Sequence, residues 1–179
     1  MKINFLTTLA ILFLATNIFA IESGIYVEVG VGTGTKEQLK AKKNNYDYDT
    51  SYLGSLYLGY QAGVYRFELE DSYKSATLKD KTFDSDVTQN TQMLNIYYSG
   101  YNKSKMVTTL GLGAGISSIE VNGLKNSNIF SYQAMFSIGY MKTKHFIITP
   151  KYSYMRMVKS DNFDRNSDHL LSLNLRYLF

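Results

Sequence analysis

The chain of 179 residues contains no cysteine, no tryptophan and a single proline. Without cysteine it can form no disulfide bond and can carry no lipid-modified amino-terminal cysteine. Beyond residue 20, no stretch reaches the roughly 18 consecutive apolar residues that would predict a membrane-spanning helix. The formal net charge of +4 is small, and the charged residues are scattered along the chain. This charge distribution argues against a nucleic-acid-binding protein.

The first 20 residues have the layout of a secretory signal peptide. Lys2 precedes an apolar middle from Phe5 to Ala15, and Ala20 precedes the more polar sequence IESG. A membrane anchor is the alternative, but the apolar middle is short and is interrupted by polar residues. We therefore predict cleavage after Ala20 and a single domain over residues 21–179.

The last twelve residues, Asp168–Phe179 (DHLLSLNLRYLF), alternate strictly between apolar and polar side chains. Successive side chains of a strand point to opposite faces, so this pattern predicts a strand with one apolar face. It covers about ten residues, the length that a tilted strand needs to cross a bilayer. The chain ends on the apolar face with Tyr177 and Phe179. Aromatic residues at the edge of an apolar band are typical of bacterial outer-membrane barrels.

Seven further stretches show similar alternation and predict a total of eight strands. The predicted strands are Ile25–Gly32, Tyr52–Tyr60, Val64–Tyr73, Thr88–Tyr98, Leu110–Ile116, Phe130–Tyr140, His145–Met155 and Asp168–Phe179. Pro150 falls inside the seventh strand. Because proline cannot donate to a ladder of hydrogen bonds, we expect a bulge or a locally broken pair there.

Long polar connections alternate with short turns. The long segments are Thr33–Thr50, Ser75–Asp86, Glu120–Asn128 and Val158–Ser167. Outer-membrane barrels have short periplasmic turns and longer extracellular loops. The chain is therefore predicted to be all-β, an eight-stranded antiparallel up-and-down transmembrane β-barrel with both termini on the periplasmic side.

Charged residues on the polar strand faces would lie inside such a barrel. The predicted interior ionic network is Glu28, Arg66, Glu68, Glu70, Lys151 and Arg176. Buried charges must be paired, and the first and last strands of a closed barrel are neighbours. We therefore expect Glu28 to pair with Arg176 near the periplasmic end, with Arg66 close by. A structural plug and a narrow polar pore both remain open as interpretations.

Several fragments together resemble the small OmpA/OmpX-type outer-membrane barrels, which include the neisserial opacity proteins and related surface antigens. The resemblance covers Ile21–Phe179 and rests on the predicted signal peptide and on YRFELEDSY (65–73), MLNIYY (93–98), LGLGAG (110–115), YQAMFSIG (132–139) and RYLF (176–179). It implies a monomeric barrel in the outer membrane of a Gram-negative bacterium. A peptidoglycan-binding domain, and hence tethering to the cell wall, is not expected.

The two histidines are the only candidates for chemistry. His145 begins the seventh predicted strand alone, whereas His169 lies near the outer rim with Ser167 on its side and Asp168 beside it. A Ser, a His and an acid can form a hydrolytic triad, as in small barrels that modify lipid A. However, Leu171 stands where the deacylase-type His-x-Ser order needs serine. We therefore expect no enzyme, no cofactor and no metal site.

In barrels of this kind, function resides in the loops that the scaffold presents. The resemblance implies a structural or adhesin-like surface protein that binds host or environmental macromolecules, with a narrow pore or a lipid A-modifying enzyme as alternatives. Candidate contacts to an acidic glycan or anionic lipopolysaccharide are Lys36, Lys40, Lys42 and Lys43, although a solvated loop also explains them. The other expected partners are outer-membrane lipid and the barrel-assembly machinery, the latter through Tyr177 and Phe179. Nucleic acid is not expected.

Overall fold

The computed structural model of the chain is a closed barrel of eight antiparallel strands. It describes residues 23–36, 39–40, 45–46, 51–79, 84–102, 104–121, 124–158 and 166–179. The strands are β1 (Gly24–Lys36), β2 (Ser51–Ala62), β3 (Tyr65–Lys79), β4 (Asp84–Tyr101), β5 (Met106–Val121), β6 (Leu124–Met141), β7 (Phe146–Met157) and β8 (Asn166–Leu178).

Each strand pairs with its neighbours in sequence, and β1 pairs with β8 to close the sheet. The predicted eight-stranded up-and-down barrel is therefore confirmed. The signal peptide predicted for residues 1–20 lies outside the described residues. In the part of the chain that is described, no helix is long and apolar enough to cross a membrane.

Side chains alternate between the barrel interior and its outer surface. On β2, Leu56 and Leu58 are 58% and 57% exposed, whereas Tyr57 between them is 1% exposed. The same alternation in all eight strands produces an outer surface that we call the apolar belt. Its members are Ile25, Val27, Val29, Val31, Leu56, Leu58, Tyr60, Tyr65, Phe67, Leu69, Leu94, Ile96, Leu112, Ile116, Phe130, Tyr132, Ile138, Tyr140, Tyr152, Leu171, Leu173, Leu175, Tyr177 and Phe179.

Two of the predicted long loops are largely strand. β3 continues to Lys79 and β4 begins at Asp84, so most of Ser75–Asp86 forms a paired hairpin. Likewise, β5 and β6 pair through most of Glu120–Asn128. Polar composition alone predicted loops there. Only a few residues of these stretches are apolar, so their pattern did not indicate a strand face there.

The other two predicted loops differ less from the structure. Thr33–Thr50 begins inside β1, and within it Leu39–Lys40 pairs with Asn45–Tyr46. At the other connection, β8 already begins at Asn166, which shortens Val158–Ser167. We call the end of the barrel that carries these connections the outer end, and the end that carries the three short turns the inner end.

Pro150 breaks the ladder between β6 and β7, as predicted. Pairing reaches Ser137 with Lys151 and resumes at Tyr140 with Ile148. The register is the same on both sides, so the irregularity is a local loss of pairs rather than a bulge. On its other side, Pro150 faces Leu173 of β8 within a continuous ladder.

Candidate functional site: the barrel interior and the outer rim

Glu28 and Arg176 meet in the barrel interior where β1 and β8 close the sheet. They are direct partners in register, and Arg176 Nε donates to Glu28 Oε2 at 2.6 Å. Arg66 Nη1 of β3 lies 3.7 Å from the same oxygen, and Asn174 Nδ2 donates to Glu28 Oε1 at 2.5 Å. One buried carboxylate therefore connects three strands, and the structure brings together the three residues expected near the periplasmic end.

Two interior tyrosines surround these arginines. The Arg66 guanidinium carbon lies 4.3 Å from the ring centre of Tyr97 and 5.7 Å from that of Tyr26. The Arg176 guanidinium carbon lies 4.9 Å from the Tyr26 ring centre. Aromatic faces attract desolvated cations, so the rings add to the stabilisation of both arginines. This role was not predicted from the sequence, although Tyr26 lies two residues before Glu28 on the same face of the first strand.

Glu68 and Glu70 are held mainly by neutral donors. Tyr26 Oη and Tyr97 Oη donate to Glu68 at 2.8 and 2.7 Å. Asn95 Nδ2 donates to both carboxylates, at 3.1 Å to Glu68 and 2.8 Å to Glu70. Because donors bond to each acidic group, the two carboxylates are integrated into the interior rather than lining an open polar path.

Lys151 of β7 contacts Tyr57 of β2 inside the barrel. Its Nζ donates to Tyr57 Oη at 2.8 Å and lies 4.0 Å from the centre of that ring. All six residues of the predicted network face the interior, and none is more than 6% exposed. Such low exposure means that neighbouring side chains fill the space around these charges, as expected in an eight-stranded barrel.

A second buried ion pair, between Lys74 of β3 and Asp168 of β8, lies nearer the outer end. This pair was not predicted, although Lys74 continues the face that carries Arg66, Glu68 and Glu70. Asp168 is completely buried inside the barrel. The hydrolytic triad considered from sequence does not form with Asp168, because His169 points to the opposite side of the barrel wall.

Within the described part of the chain, two apolar clusters interrupt the polar interior. The outer cluster consists of Leu53, Met93, Met155 and Leu170; Leu53 is paired in register with Lys74, and Met155 with Asp168. The cluster at the inner end consists of Tyr101, Val107 and Ile147. An ion crossing the barrel would have to lose hydration at both clusters, so this arrangement opposes conduction.

The outward-facing His169 lies in an aromatic group near the outer end. Its Nδ1 is hydrogen-bonded to Tyr152 Oη at 2.6 Å, and its ring centre lies 5.1 Å from that of Tyr154. His145 lies at the inner end, where its Nδ1 is 2.8 Å from Leu178 O and its ring stacks on Tyr177. His145 thus contacts the terminal strand, a role that was not predicted.

The predicted loop contacts are mostly beyond the described part of the chain. Lys36 ends β1 and Lys40 belongs to the short pair, but their side chains are outside the description, as are Lys42 and Lys43 entirely. Among the described residues, no group of three or more His, Asp or Glu side chains is arranged to hold a metal ion.

Solved structures with this fold are bacterial outer-membrane proteins. Neisserial surface protein A has a TM-score of 0.71 and 15% identity, covering 88% of this chain and 99% of its own. OprG from Pseudomonas aeruginosa has a TM-score of 0.57 and 12% identity, covering 89% and 99%. AlkL, determined in DMPC bilayers, has a TM-score of 0.58 and 12% identity, covering 100% and 97%.

No protein-family model and no curated protein matches the chain. At the identities of the structural neighbours, the likeness concerns the fold. The chain has the architecture of the small eight-stranded outer-membrane barrels, which is the group that its sequence resembles.

Proposed function

We propose that this protein is a bacterial outer-membrane surface protein whose closed barrel is a rigid scaffold for binding macromolecules outside the cell. The observation that carries the proposal is a hairpin that extends beyond the apolar belt. Beyond Tyr52, which lies at the outer edge of the belt and pairs with Ser75, its pairing runs from Ala76 with Val87 to Lys79 with Asp84. These four pairs extend about 10 Å along the strands. We call this part of β3 and β4 the outer hairpin.

The apolar belt supports a location in a membrane. So much outward apolar surface would be unfavourable in water, whereas a closed barrel satisfies its backbone hydrogen bonds within lipid. From Phe130 to Tyr140, β6 covers about 33 Å along the strand. With a tilt of about 40°, this corresponds to the apolar band, about 25 Å tall, of outer-membrane barrels.

Aromatic residues near both edges of the belt agree with this placement, since they favour the membrane–water interface. Those towards the inner end are Tyr60, Tyr65, Tyr140, Tyr177 and Phe179, and those towards the outer end are Tyr52, Phe130 and Tyr132. The proposal places the outer end outside the cell.

The filled interior favours a scaffold over the alternative of a narrow pore. Charges in the interior are paired or hydrogen-bonded, and two apolar clusters flank the network. A catalytic role has no support from the rim, because Asp168 binds Lys74 inside the barrel and His169 binds Tyr152 outside. The proposed activity is therefore binding without catalysis.

The proposal also includes partners for assembly and display. Tyr177 and Phe179 are 46% and 69% exposed at the end of the chain, where assembly machinery can contact them before insertion. Lys36 at the end of β1, together with Lys40, Lys42 and Lys43 in the connection to β2, suits an acidic glycan. We propose that the barrel performs these interactions as a monomer.

Two shortened variants test the proposal. In the first, Asn-Gly replaces residues 77–86 between Ala76 and Val87, which are paired, so the turn has favourable hairpin geometry. In the second, Asn-Gly replaces residues 35–50 between Gly34 and Ser51, which are also paired. The control is Lys142→Ala with Lys144→Ala, which removes exposed lysines from the inner end.

The measurement is binding of each refolded barrel to host cells and to an immobilised acidic polysaccharide. We expect one or both shortened variants to lose binding that the parent and the inner-end control retain. Equal binding by all four proteins, or no binding by the parent, would contradict the proposal and leave a purely structural role.

A further inference from the structure

We propose that the outer wall formed by β6, β7, β8 and β1 binds one acylated lipid with an anionic phosphate headgroup. The acyl chain would occupy a groove beside Pro150, and the headgroup would lie against Arg156. This inference rests on the membrane location in the proposed function, and it adds a selective lipid site to that scaffold.

The groove has a volume of about 440 Å³ and crosses the wall at the level of Pro150. Its apolar outward side chains are Phe136, Ile138, Pro150, Tyr152, Leu171 and Leu173, and Thr33 of β1 also lines it. It coincides with the interruption of the β6–β7 ladder, where pairs are missing between Ser137–Lys151 and Tyr140–Ile148. The groove therefore lies at an irregularity of the wall, beside the proline.

Outward side chains become more polar from the groove to the outer end. The register gives three successive rows across β6, β7 and β8: Phe136–Tyr152–Leu171, then Ala134–Tyr154–His169, then Tyr132–Arg156–Ser167. Successive rows are two residues, or about 6.6 Å, apart along the strands. Arg156 is thus about 13 Å from the groove row, within the length of an ordinary acyl chain.

The middle row joins these two parts of the site. Ala134 has the smallest side chain of its row, which leaves space beside Tyr154, and His169 is hydrogen-bonded to Tyr152 at the edge of the groove. Tyrosine and histidine have apolar bodies with polar tips, so they suit the boundary between acyl chains and headgroups.

The charges on the outer surface indicate which lipid headgroup the site binds. On β7, the outward residues from Phe146 to Tyr154 are uncharged, and Arg156 follows them at the level expected for headgroups. On the opposite wall, the corresponding first outward charge of β3 is acidic, namely Asp71, which pairs with Leu56 and Gln92. An anionic headgroup is therefore attracted to the Arg156 wall and repelled from the Asp71 wall.

Because the chain lacks tryptophan, a single introduced tryptophan can report on lipid contact by fluorescence. Leu173→Trp places the reporter beside the groove, and Leu94→Trp places it on the opposite wall. Both leucines face outward, at 50% and 69% exposure. Each barrel is refolded in phosphatidylcholine vesicles that contain a minor fraction of phosphatidic acid with brominated acyl chains, which quench tryptophan on contact.

Quenching is normalised for each reporter to that in fully brominated phosphatidylcholine. We expect normalised quenching of the Leu173→Trp variant to exceed that of the Leu94→Trp variant by about fivefold, the preference given by one basic side chain near an anionic headgroup. Adding Arg156→Gln to each reporter variant should abolish the difference, and adding Arg156→Lys should retain it. Brominated phosphatidylcholine at the same minor fraction should quench both reporters equally.

The possible results test the lipid site and the membrane location of the barrel separately. If both reporters are quenched equally by the anionic lipid, the selective site is wrong and the membrane location stands. If neither reporter is quenched even in fully brominated phosphatidylcholine, the apolar belt does not face lipid and the proposed function fails as well.

Discussion

Arg176 of β8 donates to Glu28 of β1 at 2.6 Å, across the interface that closes the barrel. Both side chains are almost completely buried, and Arg66 is the second cation near the carboxylate. Removing one member of a buried ion pair leaves the other charge desolvated, which costs more than removing both. The stability of the closed barrel should therefore fall most when only one member of the pair is removed.

Arg176→Met should lower the free energy of unfolding by about 3–5 kcal/mol, because it leaves the Glu28 carboxylate with the more distant Arg66 as its neighbouring cation. The double change Glu28→Gln with Arg176→Met should cost less than this single change. Urea unfolding of the barrel refolded in lipid vesicles measures both values. A double variant that is less stable than Arg176→Met would contradict the pairing energetics.

Gly59→Ala tests the packing around the interior tyrosines. A Cβ at Gly59 would collide with the Tyr26 ring, whose hydroxyl donates to Glu68. We expect a loss of about 1–3 kcal/mol from overpacking. Gly54→Ala on the same strand is the matched control, because nothing lies within 4 Å of a Cβ there. Equal unfolding midpoints for the two variants would show that Tyr26 does not occupy this position.

Pro150→Ala should restore a donor where the β6–β7 ladder is interrupted. We expect a gain of about 0.5–1.5 kcal/mol from a new hydrogen bond, together with slower amide exchange at Ile138 and Gly139. Hydrogen exchange resolved by residue measures this effect. The ladder between β7 and β8 is an internal control, because it is already continuous at Pro150. Unchanged exchange at Ile138 and Gly139 would indicate that the missing amide is not what interrupts the ladder.

Alternation predicted the faces of the strands well because an apolar belt and a polar interior select opposite residue types at every second position. Closure then made β1 and β8 neighbours, which is why the contact of Glu28 with Arg176 followed from their places along the chain. The interior partners of Lys151 and Lys74 could not be predicted in this way. They depend on the shear of the barrel, which sets the relative heights of residues on strands that are not adjacent.

The strand extensions beyond the belt could not be recognised by the same reasoning. Ser75–Lys79 is paired with β4 although the stretch Ser75–Asp86 contains few apolar residues. The groove beside Pro150 was not predicted from the sequence either. Pro150 indicated a broken pair, but not the row of Tyr154 and His169 on the outer side of the groove. Neither alternation nor composition identifies the molecule that the outer end binds.

If the barrel is a closed scaffold, it conducts no ions, and conductance across a planar bilayer tests this most directly. The parent protein and Glu68→Ala should both pass no steady ionic current. Glu68→Ala removes the acceptor of Tyr26 and Tyr97 but leaves the apolar clusters of Leu53 and Val107 in place. A steady current through the parent that changes in conductance or ion selectivity in Glu68→Ala would contradict the account and make this barrel a pore.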